Sequence, residues 1–95
     1  MAGVVMYCTA ICPYCIRAEH LLRAKGLEID KIRIDLEPDR YSEMVQVSGG
    51  RTTVPQIFIG ETHVGGCDEL HALEREGRLD PLLEAELGWT APGEA

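Results

Sequence analysis

The amino-acid sequence predicts an α/β fold in which a four-stranded mixed sheet, in the order β-α-β-α-β-β-α, is flanked by helices and followed by a short C-terminal helix. Three observations predict it. Short apolar or alternating runs near residues 3–8, 28–36, 54–59 and 62–64 read as strands. Helical periodicities over 14–25, 40–47 and 68–76 lie between or after them, bounded by Gly, Pro or Asp. The first strand, helix and strand are spaced as a βαβ unit, which makes strands one and two parallel with a right-handed crossover.

Gly3 to Cys8 carries no charge and is rich in β-branched and aromatic residues, as suits a strand covered on both faces. Thr9-Ala10-Ile11 is a brief loop, and Pro13 stands where a first helical turn tolerates proline. Cys15, Ala18 and Leu22 then share one helical face with Leu21 beside them; Arg17, His20 and Arg23 take the other, and Gly26 is the stop. From Glu28 to Leu36 the alternation of Ile32, Ile34 and Leu36 with Lys31, Arg33 and Asp35 predicts a half-buried strand, with Ile29 out of phase.

Pro38-Asp39 opens a second helix to Val47, with Asp39 as N-cap candidate and Tyr41, Met44 and Val45 inward. Pro55 begins the third strand, where a missing donor does least harm. Gly60-Glu61 turns into the fourth strand, which Gly65-Gly66 ends. Asp68 is read as the cap of a third helix, with Leu70 and Leu73 inward and Gly77 as its stop. Asp80-Pro81 is read as the N-cap and N1 of the last helix. Residues 1–88 then form a single domain, with Trp89 to Ala95 a flexible tail.

The totals narrow the function. Ninety-five residues make one small domain. A composition 45% hydrophobic and 26% charged is that of an ordinary globular chain. A net charge of −7 argues against nucleic acid, which draws a basic patch. No apolar run approaches the roughly 18 residues of a membrane span, and no signal-peptide pattern opens the chain. The cytoplasm is therefore the expected compartment, where a close thiol pair is catalytic or metal-binding and not a structural staple.

Cys12-Pro13-Tyr14-Cys15 is that pair. A Cys-x-x-Cys between a strand and a helix reads as a redox site. Cys12 at the helix N-terminus meets unpaired amides and the positive end of the helix dipole, both of which favour a thiolate. Cys15, one turn on, falls on the buried side. Cys12 therefore attacks and Cys15 resolves. The same spacing is half a zinc site, but Cys8, Cys12, Cys15 and a lone Cys67 do not make the paired pattern of a zinc ribbon, and no metal is expected. Cys8 reads as a small core hydrophobe.

Two further stretches carry chemistry. A Val54-Pro55 bond at a strand start can be cis, which would turn the Val54 backbone toward an extended peptide; a trans edge proline is the alternative. Gly65-Gly66-Cys67-Asp68 lets a ligand approach a helix N-terminus, where amides suit a carboxylate; a plain turn is the alternative.

Together Cys12 to Cys15, Arg51 to Gly60 and Gly65 to Leu70 closely resemble a dithiol glutaredoxin of the bacterial glutaredoxin-3 type, over about Val4 to Leu83. The resemblance implies a thioredoxin-like fold, a cis Val54-Pro55, and glutathione as cosubstrate. It implies a monomeric enzyme that reduces protein–glutathione mixed disulfides and protein disulfides, and depends on glutathione reductase only through oxidised glutathione. Tyr14 would flank the tripeptide, Thr53, Val54 and Pro55 would meet its cysteinyl segment, and Gly66, Cys67 and Asp68 its γ-glutamyl end. The family often has Lys or Arg three residues before the first catalytic Cys. Thr9 stands there in this chain, leaving Arg51 or Arg40 for the glycyl carboxylate.

Two rival readings complete the set. A glutathione-ligated iron–sulfur carrier or sensor would use Cys12 from two protomers, but Pro13-Tyr14 stands where cluster-binding members usually have Gly-Phe or Gly-Tyr. A thioredoxin-like protein would be reduced by a flavoenzyme instead of glutathione.

Overall fold

A computed structural model describes residues 3–91. Its elements run β1 (Val4–Cys8), α1 (Pro13–Ala24), β2 (Ile29–Arg33), α2 (Pro38–Val47), β3 (Gln56–Ile59), β4 (Thr62–Gly65), α3 (Cys67–Arg75) and α4 (Leu79–Leu87). The sheet order is β2-β1-β3-β4, with β1 parallel to β2 and antiparallel to β3, and β3 antiparallel to β4. This is the mixed sheet the sequence predicts.

Alternation along β1 divides the molecule into layers. Val4, Met6 and Cys8 join Ile57 and Ile59 of β3 in one buried cluster with Cys15, Ala18 and Leu22 of α1, Leu70 of α3, and Leu79 and Leu83 of α4. Tyr7 points to the other face, where its ring meets Phe58 edge-on at 6.0 Å and its hydroxyl donates to Glu43 of α2. Burial and the neighbouring Glu43 push the Tyr7 phenol up to about 12, so it stays a donor at neutral pH. Met44 is the fully buried residue of α2, while Tyr41 remains largely exposed.

The second strand is shorter than its sequence alternation. Ile34 still donates to the Cys8 carbonyl, but Leu36 and Glu37 donate back to the Arg33 carbonyl in a turn. Leu36 is 68% exposed. The cause is the length of β1: past Cys8 there is no neighbouring strand to pair, so alternation alone cannot extend the ladder.

Helix starts shift in a common way. Asp39, Asp68 and Asp80 all fall at the second helical position instead of the cap, which is taken by Glu37, Gly66 and Arg78. An aspartate at either place faces the positive helix end, so composition does not separate the two registers. At α3 the cap function passes to Glu69, whose carboxylate accepts the Gly66 N–H at 2.7 Å.

Trp89, placed by its sequence position in a tail, is docked. Its ring packs against the core cluster and its indole N–H donates to the Lys25 carbonyl at 2.8 Å. The Lys25 ammonium meets Asp80 at 2.6 Å and Glu74 at 2.8 Å, so the end of α1 is tied to α3 and α4. Residues 92–95 of the expected tail lie outside the described residues. Trp89→Ala should lower stability by about 1–3 kcal/mol, through lost packing and an orphaned carbonyl. Urea unfolding reads this directly; an unmoved midpoint would mean that the tail begins at Trp89.

Candidate active site

The site is built at the end of β1. After Cys8 the chain leaves the sheet, and the Ala10 N–H donates to the Asp35 carboxylate at 3.2 Å. Arg33 grips the same carboxylate with two hydrogen bonds of 2.8 and 2.7 Å and holds Asp35 far below the ordinary carboxylate range. The turn after β2 thus braces the loop that carries Cys12. At Thr9 the loop contributes no charge of its own.

Cys12 is the N-cap of α1, with extended backbone (φ −145°, ψ 103°), and its Sγ accepts the Cys15 N–H at 3.2 Å. Pro13 follows at the first helical position, where no donor is missed. Cys12 is 7% exposed and Cys15, one turn inside, 3%; both belong to the core cluster. Burial, then the hydrogen bond with Cys12, pushes the Cys15 thiol well above its usual value. Burial also raises Cys8 and Cys67. All four cysteines are free and buried.

Tyr14, two residues past Cys12, lines a groove of about 270 Å³ with Arg51, Thr53, Val54, Pro55, Gly66, Cys67, Asp68 and Glu69. All eight residues expected at the tripeptide site thus meet around one cleft. The Val54–Pro55 bond is cis. At the end of β4, Gly65 has φ +109°, and a Cβ there would come within 2.6 Å of the Glu69 carboxylate. Because Asp68 is not the cap, its carboxylate is free of that task and exposed at the groove.

Arg51, not Arg40, reaches the groove. Ser48 fixes its backbone, accepting the Arg51 N–H at 3.1 Å and donating to its carbonyl at 3.2 Å. Arg40 is instead engaged with Glu43 at 3.0 and 3.1 Å. Glu69 is the groove residue that sequence reasoning missed. It accepts Gly66 N–H and the Arg51 guanidinium, the latter at 3.1 Å, and these hold it below the usual glutamate range. Its signal was a glutamate three residues after a glycine cap. None of the three histidines lines the groove.

The arrangement sets two thiols one turn apart and, in the groove, a cation at Arg51, the amides at the start of α3 and a carboxylate at Asp68. The glutaredoxin family model matches residues 4–64. A glutaredoxin of Pseudomonas aeruginosa is 59% identical over 85 residues, 90% of this chain and 100% of that protein. Glutaredoxin 3 of Escherichia coli K12 is 51% identical over 88% of this chain and 100% of its own length. The chain belongs to the glutaredoxin family.

This glutaredoxin is accordingly a thiol–disulfide oxidoreductase, and its sheet and helices form the family's thioredoxin-like fold. The crystal structure of a buckwheat glutaredoxin–glutathione complex superposes with a TM-score of 0.82 at 34% identity, covering 95% of this chain and 83% of that one. Among the described residues no helix is long and apolar enough to cross a membrane, and no three His, Cys, Asp or Glu side chains group as a metal site.

The thiol asymmetry is measurable. Brief alkylation of the reduced protein near neutral pH, mapped by mass spectrometry, should give one adduct on Cys12 well before any on Cys15 or Cys8, because burial raises the Cys15 and Cys8 thiols and holds them protonated. First labelling at Cys15 would contradict the roles.

Proposed function

We propose that this glutaredoxin uses glutathione to reduce protein–glutathione mixed disulfides and protein disulfides. The observation that carries the reading is the cleft beside Cys12, whose walls supply a cation, a helix N-terminus and a carboxylate around a peptide-sized space. The glycyl carboxylate pairs with Arg51. The γ-glutamyl carboxylate takes the amides at the start of α3, and its ammonium meets Asp68. Tyr14 covers one side, and the Thr53–Val54 backbone runs beside the cysteinyl residue. These contacts leave the tripeptide sulfur at Cys12.

The Cys12 thiolate attacks the glutathionyl sulfur of a mixed disulfide. A Cys12–glutathione disulfide forms as the protein sulfur leaves as thiolate and is protonated by water. A second glutathione thiolate then attacks that glutathionyl sulfur, giving oxidised glutathione and restoring Cys12. For a protein disulfide, Cys12 attacks one sulfur, and Cys15 then loses its proton and attacks Cys12 Sγ. The target leaves reduced, and two glutathiones reopen the Cys12–Cys15 disulfide.

The raised Cys15 thiol suits this division of labour. Held protonated by burial, it is slow to attack the Cys12–glutathione disulfide, so a second glutathione competes well. We place the enzyme as a monomer in a reducing cytoplasm, with glutathione reductase recycling the oxidised tripeptide.

A coupled assay with glutathione and glutathione reductase tests the roles. Cys12→Ser should reduce turnover of a glutathionylated peptide and of a protein disulfide to background. Cys15→Ser should keep the first within about an order of magnitude and lose the second, since only the second needs a resolving thiol. Loss of both in Cys15→Ser would overturn the assignment. Turnover by thioredoxin reductase in place of glutathione would overturn the cosubstrate.

A further inference from the structure

Gln56 is a polar side chain with no solvent exposure, at the start of β3 and two residues past Val54. Its Nε2 donates to the Thr53 carbonyl at 2.9 Å, and its Oε1 meets His63 Nε2 on β4 at 2.8 Å. A carbonyl accepts only from the amide nitrogen, so Oε1 must face His63, and His63 Nε2 must carry the proton. The His63 ring is itself fixed, stacked on Phe58 with centroids 4.7 Å apart.

An aliphatic side chain would fill this buried position without desolvating a carboxamide. What the amide secures is a carbonyl outside the β1–β3 ladder, whose last pair is Tyr7 with Gln56. In a planar trans peptide the C=O and the following N–H point in opposite directions. With the Thr53 carbonyl drawn inward onto Gln56, the Val54 N–H is turned outward, on the side of the groove that Val54 lines.

We infer that Gln56 is a positioning residue that, steadied by His63, presents the Val54 N–H to an extended peptide ligand in the groove. The role rests on the groove being the glutathione site. It adds a reason, two residues into the core, for that wall to show a donor in the right direction. The ligand it selects is one with a backbone carbonyl opposite Val54, as a cysteinyl residue in a peptide has and a simple alkyl thiol lacks.

The test compares wild type with Gln56→Met, which keeps the volume and removes both hydrogen bonds, and with His63→Phe, which keeps the ring on Phe58. KM for a glutathionylated peptide should rise about tenfold in Gln56→Met, one hydrogen bond's worth, with kcat within about twofold. His63→Phe should shift the same way by less. The alkylation rate of Cys12 by iodoacetamide should stay at the wild-type value in both.

In a Cys12→Ser background, saturating reduced glutathione should move the Val54 amide proton resonance, and Gln56→Met should remove most of that movement. An unchanged KM in both variants, or turnover and alkylation falling together as in a general packing defect, would overturn the role. Should Gln56→Met not fold, an unchanged KM in His63→Phe would overturn it alone. A wild type that shows no preference for the glutathionyl group over an alkyl disulfide would overturn the groove reading itself and this role with it.

Discussion

The hydrogen bond from the Cys15 N–H to the Cys12 sulfur is the interaction on which the chemistry depends. It exists because β1 ends where α1 begins, with a three-residue loop that sets Cys12 as a cap instead of a helical residue. A cap side chain faces the free amides of its own helix, so sulfur at this position receives a donor without any neighbouring cation. Both sulfurs belong to the buried cluster, the cap residue slightly less covered than the one a turn in.

The rest of the fold keeps that cap in place and builds a cleft beside it. Arg33 and Asp35 brace the loop from β2, and the buried cluster under α1 holds the helix on the sheet. The far wall is strand-end backbone at Thr53 to Pro55, and the floor is the start of α3. Both are anchored by buried or half-buried polar contacts, Gln56 to Thr53 on one side and Glu69 to Gly66 on the other. The exposed Arg51–Glu69 pair adds little stability in water. It holds the Arg51 guanidinium at the lining of the groove.

Most of the fold was legible because its signals are local: an apolar β1, a strict helical face at Cys15, Ala18 and Leu22, and glycines at the turns. Errors arose where a local pattern had no partner to enforce it. The alternation through Leu36 outran β1, and three aspartates read as caps sit two positions inside their helices because the dipole favours both placements. Trp89 looked detached because its partner, the Lys25 carbonyl, is 64 residues away in sequence. At the site, motif residues were legible and their supports were not. Arg51 was separable from Arg40 only once Glu43 was seen to hold the latter. The Gly66–Glu69 spacing announces a cap, but neither the Glu69 contact to Arg51 across the groove nor the Gln56 contact to His63 across the hairpin is announced by any spacing.

Cys12 at the cap of α1 and the cleft lined by Tyr14 are proposed together as one glutathione site. The measurement that tests it most directly is a structure of the Cys15→Ser protein carrying one glutathionyl group. The account predicts a disulfide to Cys12, the cysteinyl backbone beside Val54, and the γ-glutamyl end at the start of α3 with Asp68. A glutathionyl group bonded to Cys67, or attached at Cys12 but directed away from Val54 and α3, would contradict it.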